Sequence, residues 1–124
     1  MTRAPLVLAG VAALMGAAGV ALAAAGVHEN GGELAERAAL FLLLHAAAGL
    51  GVAAHARIAT GSARGLLIVG FVMEAGAILF SAELAMHVFT GSRLPFAAPI
   101  GGTTMMLSWV ALAVVFAAAS RPEV

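Results

Sequence analysis

Two glutamates within an otherwise apolar stretch are the residues of this chain best suited to do chemistry. Glu74 and Glu83 interrupt residues 65–92, which contain no Arg, Lys or Asp and no further Glu. An ionisable group inside a membrane span is costly, and it is by default a candidate for proton transfer or for a specific contact. On one helix the two side chains point in opposite directions, because nine steps of 100° place them about 180° apart.

Glu74 shares its side of the predicted helix with small residues, namely Gly70, Ala77, Ser81 and Ala85. Small residues allow helices to approach closely in a membrane, so this side is expected to pack on other helices. The carboxyl is then expected to be protonated or hydrogen-bonded to a neighbouring helix, because desolvation disfavours the charged form. A carboxyl in this position could instead carry a proton in transport, and both interpretations stay open.

Glu83 lies on a bulkier side of the same helix, with Leu79 and Phe80, and one turn before His87. This side is expected to face lipid. Glu83 is about 9 Å from the end of the predicted helix, so its carboxyl is expected to reach the outer interface. Alternatively, Glu83 and His87 form a contact surface for another protein or for a second copy of this chain.

A second polar set is predicted deeper in the membrane. His45 and Trp109 lie at similar depth in their helices, and Trp109 is too deep for an interfacial aromatic belt. Hydroxyls of Thr103, Thr104 and Ser108 occupy the same half of the last helix. These side chains are expected to form a layer of interhelical hydrogen bonds, since a lone intramembrane histidine is more often structural than a ligand.

No spacing in the chain is typical of a catalytic or metal site. The four histidines, His28, His45, His55 and His87, raise haem ligation, but His45 and His87 differ in depth by about 10 Å on upright helices. No zinc or di-iron spacing, nucleophile motif or phosphate-binding loop occurs, and there is no cysteine. We therefore predict no enzyme activity, no catalytic or metal-binding residue and no cofactor; a haem-binding redox subunit remains an alternative.

Membrane helices must position these residues. Of the 124 residues, 63% are hydrophobic and only 10% are charged, whereas a soluble domain is about a quarter charged. A span needs about 20 apolar residues, and the sequence predicts four, at about 5–27, 36–58, 65–89 and 99–119. Residues 21–25, ALAAA, resemble a signal-peptidase site, but the apolar run before them is too long for an h-region. The prediction is one all-α domain over 1–124, an integral membrane four-helix bundle with up-down-up-down order.

The arginines predict an orientation. Four spans place two sets on opposite sides: Arg3, Arg57, Arg64 and Arg121 on one, Arg37 and Arg93 on the other. The positive-inside rule then predicts cytoplasmic termini, in a multi-pass protein of the cell inner (plasma) membrane. Zero net charge without a basic block predicts no nucleic-acid partner.

Three stretches resemble a family of small four-helix membrane proteins, catalogued as domain of unknown function 423. They are GAAGVALAAAGVH at 16–28, ILFSAELA at 78–85 and PIGGTTMMLSW at 99–109. The family's motif positions are matched by His28, His45, Ser81, Pro99, Gly101, Gly102 and Trp109. The resemblance implies a four-span inner-membrane protein and implies no activity. Glu83 replaces a motif serine and Glu74 matches no motif position, so both glutamates are expected to be particular to this protein or its near relatives.

The expected function is association. The sequence predicts a small non-enzymatic protein of the lipid bilayer that binds another membrane protein, as an accessory or assembly component, or binds itself as a homo-oligomer. Glu83 and His87 motivate this expectation. A proton-coupled transporter of small molecules that uses Glu74 is the alternative.

Overall fold

The computed structural model describes residues 3–30 and 32–122, which form four α-helices. These are α1 (Ala4–Gly26), α2 (Gly32–Ile58), α3 (Ala63–Thr90) and α4 (Ala97–Ala119). Each helix is long and apolar enough to cross a membrane, so the predicted all-α four-helix architecture is confirmed. α2 begins at Gly32 rather than at residue 36, because the charged segment that precedes the apolar run is itself helical, with Glu33 in the favourable first turn.

Alanine-rich sequence and a membrane environment both favour these helices. Alanine has the highest helix propensity, and a membrane provides no water to satisfy backbone groups outside a helix. Two glycines occupy left-handed backbone positions between helices, where residues with a side chain would be strained. Gly91 has φ +73° and caps α3, with its N–H donating to His87 O at 3.0 Å, and Gly61 has φ +95° between α2 and α3.

α2 and α3 are the two central helices of the four. Close backbone contacts join α1 to α2, α2 to α3 and α3 to α4, with weaker contact between α1 and α3. Within the described residues, the backbone of α4 closely approaches that of α3 alone. In the most apolar 18-residue window of each helix, 44% of the residues of α2 and of α3 are buried, against 22% in α1 and in α4. The outer helices therefore present most of their surface to the surroundings.

Glycines set how closely the helices approach. At the α1–α2 hairpin a Cβ on Gly26 would lie 2.5 Å from the Cβ of Ala35. At the α3–α4 crossing a Cβ on Gly101 would lie 2.6 Å from Gly76 O. Since lipid offers helices no hydrophobic reason to associate, such close backbone approach is a main source of attraction between them.

Candidate functional site

Both membrane glutamates are buried, on opposite sides of α3. The exposed fraction is 1% for Glu74 and 2% for Glu83. α1 and α2 cover the Glu74 side of α3, and α4 covers the Glu83 side. α3 therefore has protein neighbours on two faces, and each carboxyl lies between helices.

Glu74 lies on the packed side of α3, as the sequence predicts. A Cβ on Gly49 of α2 would lie 2.6 Å from Glu74 Oε1 and 3.0 Å from the Cβ of Ala12 of α1, so the carboxyl fills the space left by that glycine. Neither carboxyl oxygen has a hydrogen-bond partner among the described residues. The expected hydrogen bond to a neighbouring helix is absent there, because Gly49 and Ala12 have no polar side chain to donate.

The prediction that Glu83 faces lipid is wrong. α4 crosses α3 on this side, at the contact between Gly76 and Gly101, and covers the carboxyl. Glu83 pairs with Arg93 of the α3–α4 connection, whose Nε lies 3.6 Å from Oε1. Among the described residues this is the only ion pair that the structure records. With Glu83 only 2% exposed, little of its side chain is available to a partner protein, and its contact surface with His87 stays a prediction.

A pocket of about 480 Å³ lies beside Glu83, between the end of α3 and the start of α4. Its walls come from α3, the connection and the first turns of α4: Phe80, Glu83, Arg93, Pro95, Ala98, Pro99, Gly102, Thr103 and Met106. Glu83 Oε1 is buried and has no hydrogen bond to any residue that the structure describes, although Arg93 is nearby. Arg93 is 63% exposed, so a buried acid and an exposed base meet at one end of the bundle.

His45 and Trp109 form a hydrogen bond across the bundle. Trp109 Nε1–H donates to His45 Nε2 at 3.1 Å, and His45 Nδ1 lies 2.7 Å from Phe41 O. Since a carbonyl only accepts and an indole N–H only donates, His45 carries its proton on Nδ1. Both ring nitrogens are therefore engaged, and a haem iron would have to displace Trp109 to reach Nε2.

The hydroxyls of α4 do not join this layer. Thr104 Oγ1 donates to Ile100 O and Ser108 Oγ to Thr104 O, each at 2.8 Å within α4 itself. A hydroxyl in a helix often bonds the carbonyl one turn earlier, and this local bond takes precedence here. Thr103 instead lines the pocket beside Glu83.

Several residues at the motif positions have structural contacts. Ser81 Oγ donates to Ala38 O at 2.9 Å, which ties α3 to α2 in a buried position. Gly101 permits the α3–α4 crossing, whereas a Cβ on Gly102 would meet only the ring of Phe80, at 3.8 Å. Pro99 lies in the first turn of α4, where its missing N–H is tolerated. His28 is exposed just after α1.

An apolar groove of about 510 Å³ runs between α1 and α3 and was not predicted. Its lining combines bulky and small side chains over a floor from α2: Val11, Leu14, Met15, Ala18, Leu22, Leu42, Ile78, Ser81, Ala82 and Ala85. We call it the α1–α3 groove. The sequence pattern of a single helix contains no signal for it, because the groove depends on how far α1 stands from α3.

The arrangement offers buried carboxyls, an ion pair and several concave surfaces, of which the α1–α3 groove and the pocket beside Glu83 are two. Within residues 3–30 and 32–122, no group of three or more His, Asp or Glu side chains is placed to hold a metal ion. The functional roles of Glu74, Glu83, His87, His45 and Trp109 therefore stay predictions.

A comparison with known protein families relates most of the chain to one of them by sequence. Residues 15–102 match the family model DUF423, described as "Protein of unknown function (DUF423)". The match runs from the middle of α1 to the start of α4 and includes Glu74 and Glu83, and Trp109 lies beyond it. Neither the comparison with curated proteins nor that with solved structures found a match.

Proposed function

Because the chain belongs to the DUF423 family and has four helices able to span a membrane, we propose that it is a non-enzymatic inner-membrane protein that works by association. Its partner is a transmembrane helix. That helix belongs either to a larger membrane complex, in which this protein is an accessory or assembly component, or to a second copy of this protein. Both termini lie in the cytoplasm, as the distribution of arginines favours.

The α1–α3 groove is the observation that supports association. Its lining is almost entirely apolar, and Ser81, the one residue in it with a polar side chain, is buried and bonded to Ala38 O. A concave apolar surface in a membrane is filled either by lipid chains or by another helix. The outline of this groove suits a helix, because small side chains from both walls, Ala18, Ala82 and Ala85, let a second backbone come near.

Glu83 and His87 no longer motivate this proposal, because Glu83 is covered by α4. The contact surface proposed here lies on the other flank of α3. It includes Ile78 and Ala82, which are exposed, together with Leu14 and Ala18 of α1.

The test is a tagged pull-down in mild detergent from the native membrane, followed by mass spectrometry. Ala82→Phe would place a ring in the groove, and Ala113→Phe adds the same ring to an exposed position of α4. We expect one near-stoichiometric partner, or self-association, with the wild type and with Ala113→Phe, and its loss with Ala82→Phe. Equal recovery by both variants would contradict the groove as the binding surface, and a wild-type protein recovered as a bare monomer would contradict association.

Glu74 supports a second candidate function, proton-coupled transport of a small molecule. Its carboxyl is buried at the centre of the bundle and neither oxygen is hydrogen-bonded within the described residues. A buried carboxyl without a partner costs stability, and such groups in membrane spans often carry protons. In proteoliposomes with an imposed pH gradient, Glu74→Gln should abolish uptake. Uptake that is absent in the wild type, or unchanged in Glu74→Gln, would count against this candidate.

A further inference from the structure

The pocket between α3 and α4 combines three features that single out one kind of ligand. A nearly fully buried carboxyl forms part of one wall, an exposed guanidinium stands 3.6 Å from it, and Phe80 and Met106 provide apolar surface. We propose that this pocket binds a phosphoethanolamine headgroup, with its ammonium on Glu83 and its phosphate on Arg93. The site is separate from the α1–α3 groove and does not depend on the proposed association.

Glu83 provides the cation-binding half of the site. The side chain is 2% exposed and lines the pocket, yet Oε1 is buried and makes no hydrogen bond within residues 3–30 and 32–122. The only cation near it is Arg93 among the described residues, at a distance longer than a hydrogen bond. A buried carboxyl whose ionic contact is incomplete costs stability. A primary ammonium that donates N–H hydrogen bonds would therefore satisfy Glu83 better than Arg93 does.

Arg93 and the start of α4 provide the anion-binding half. Arg93 is 63% exposed and approaches Glu83 through Nε, so its terminal N–H groups can bind phosphate oxygens. Ala98 and Pro99, in the first turn of α4, form part of the pocket wall. The positive end of the α4 dipole favours an anion there, but Ala97 N–H already donates to Leu94 O and Pro99 has no N–H, so Arg93 is the main partner of the phosphate.

The location of the pocket suits a lipid. Its walls include Arg93 and Pro95 of the connection that follows α3, which ends at Thr90, and they continue along α4 as far as Met106. The nine steps from Ala97 to Met106 correspond to about 14 Å of helix rise. A headgroup could therefore occupy the polar end while an acyl chain follows Phe80 and Met106.

Gly102 gives a variant that blocks the pocket without changing its charges. A Cβ at Gly102 would lie 3.8 Å from the ring of Phe80, an ordinary contact, so Gly102→Ala is accommodated. Gly102→Leu places a branched side chain in the same wall and should fill the space of the headgroup. The pair separates occupancy of the pocket from the effect of removing a glycine.

The experiment compares two lipids that differ only in the ammonium. The full-length protein is reconstituted with equal amounts of phosphatidylethanolamine and phosphatidylcholine of identical acyl chains, released into mild detergent, and analysed for retained lipid by native mass spectrometry. Phosphatidylcholine has no N–H to donate to Glu83. We expect about a tenfold preference for phosphatidylethanolamine in the wild type, a ratio near one for Glu83→Gln, and retention of neither lipid by Gly102→Leu.

Two further variants serve as controls. Gly102→Ala and Glu33→Gln, which removes an exposed acid at the start of α2, should behave as the wild type does. If Glu83→Gln does not fold, the same lipid comparison is made with Arg93→Gln, whose position is exposed, and with the two Gly102 variants. Equal retention of the two lipids by the wild type, or an unchanged preference in Gly102→Leu, would overturn the proposal. Displacement of the lipid by millimolar O-phosphoethanolamine would support the headgroup chemistry and identify the free headgroup as a sufficient ligand, whereas no displacement would make the lipid the ligand.

Discussion

Two adjacent glycines at the start of α4 are expected to respond in opposite ways to the same substitution. A Cβ on Gly101 would lie 2.6 Å from Gly76 O, 2.7 Å from Phe80 N and 2.9 Å from Phe80 Cβ. A Cβ on Gly102 would have no neighbour nearer than 3.8 Å. Two of the three contacts at Gly101 are with backbone atoms of α3, which cannot rotate away as the end of a flexible side chain can.

The magnitude follows from these distances. Carbon atoms in favourable contact are about 3.5–4.0 Å apart, so Gly101→Ala forces α4 to withdraw from α3 by a large fraction of an ångström. Overpacking of this kind destabilises by about 1–3 kcal/mol, while replacing glycine by alanine in a helix contributes up to about 1 kcal/mol of stability at either position. We expect Gly101→Ala to lower the free energy of unfolding by about 1–2 kcal/mol and Gly102→Ala to raise it slightly.

Trp109 makes the displacement measurable. It is the only tryptophan of the chain, it lies on α4, and its indole N–H donates to His45 of α2 at 3.1 Å. The assay is unfolding in mixed micelles of mild detergent and dodecyl sulfate, followed by circular dichroism for stability and by tryptophan fluorescence for the position of α4. Gly101→Ala should unfold at less dodecyl sulfate and show a changed emission in the folded state.

If Gly101→Ala and Gly102→Ala are equally stable and have the wild-type emission, then α4 does not approach α3 through Gly101, and the burial of Glu83 would lose its explanation.

Three further perturbations test the contacts inside the bundle. Trp109→Phe leaves Nε2 of His45 without its donor and should destabilise by about 1 kcal/mol, and in a double-mutant cycle with His45→Leu the two effects should not add, as measured by circular dichroism. Gly49→Ala should destabilise by about 1 kcal/mol, the low end of the overpacking range, because the atom nearest its Cβ, Glu74 Oε1 at 2.6 Å, ends a side chain that can partly turn aside; the loss should be largely rescued by Glu74→Ala, and no rescue would contradict the packing. Ser81→Ala removes an interhelical hydrogen bond and should cost about 0.6 kcal/mol, the average for such bonds in membranes, whereas an unchanged transition would show that this bond contributes nothing net.

The fold was largely predictable because a membrane imposes strict requirements on sequence. Only predominantly apolar segments of sufficient length can span it, and their backbone must be helical here. The predicted helix at 65–89 is thus observed as Ala63–Thr90. The relative depth of His45 and Trp109 was also predictable, because depth follows from the position of a residue in its helix, and the two side chains do meet.

The environment of Glu83 was not predictable by the same reasoning. The helical pattern states correctly that Glu83 points away from Glu74, but it does not state what lies in that direction. In a soluble protein an apolar face marks the core, whereas lipid is as apolar as a protein interior, so the side facing lipid and the side facing a helix look alike in sequence.

The number of spans, their length and the opposite directions of Glu74 and Glu83 on α3 follow from the residue pattern alone. That α4 covers Glu83, that Arg93 becomes its partner and that a groove remains between α1 and α3 depend on how the helices pack. The physical reason is that helix pairing in a membrane depends on close backbone approach at particular small residues. Gly76 and Gly101 are such a pair. The chain has 15 glycines, and the sequence does not show which of them meet; only the packed structure does.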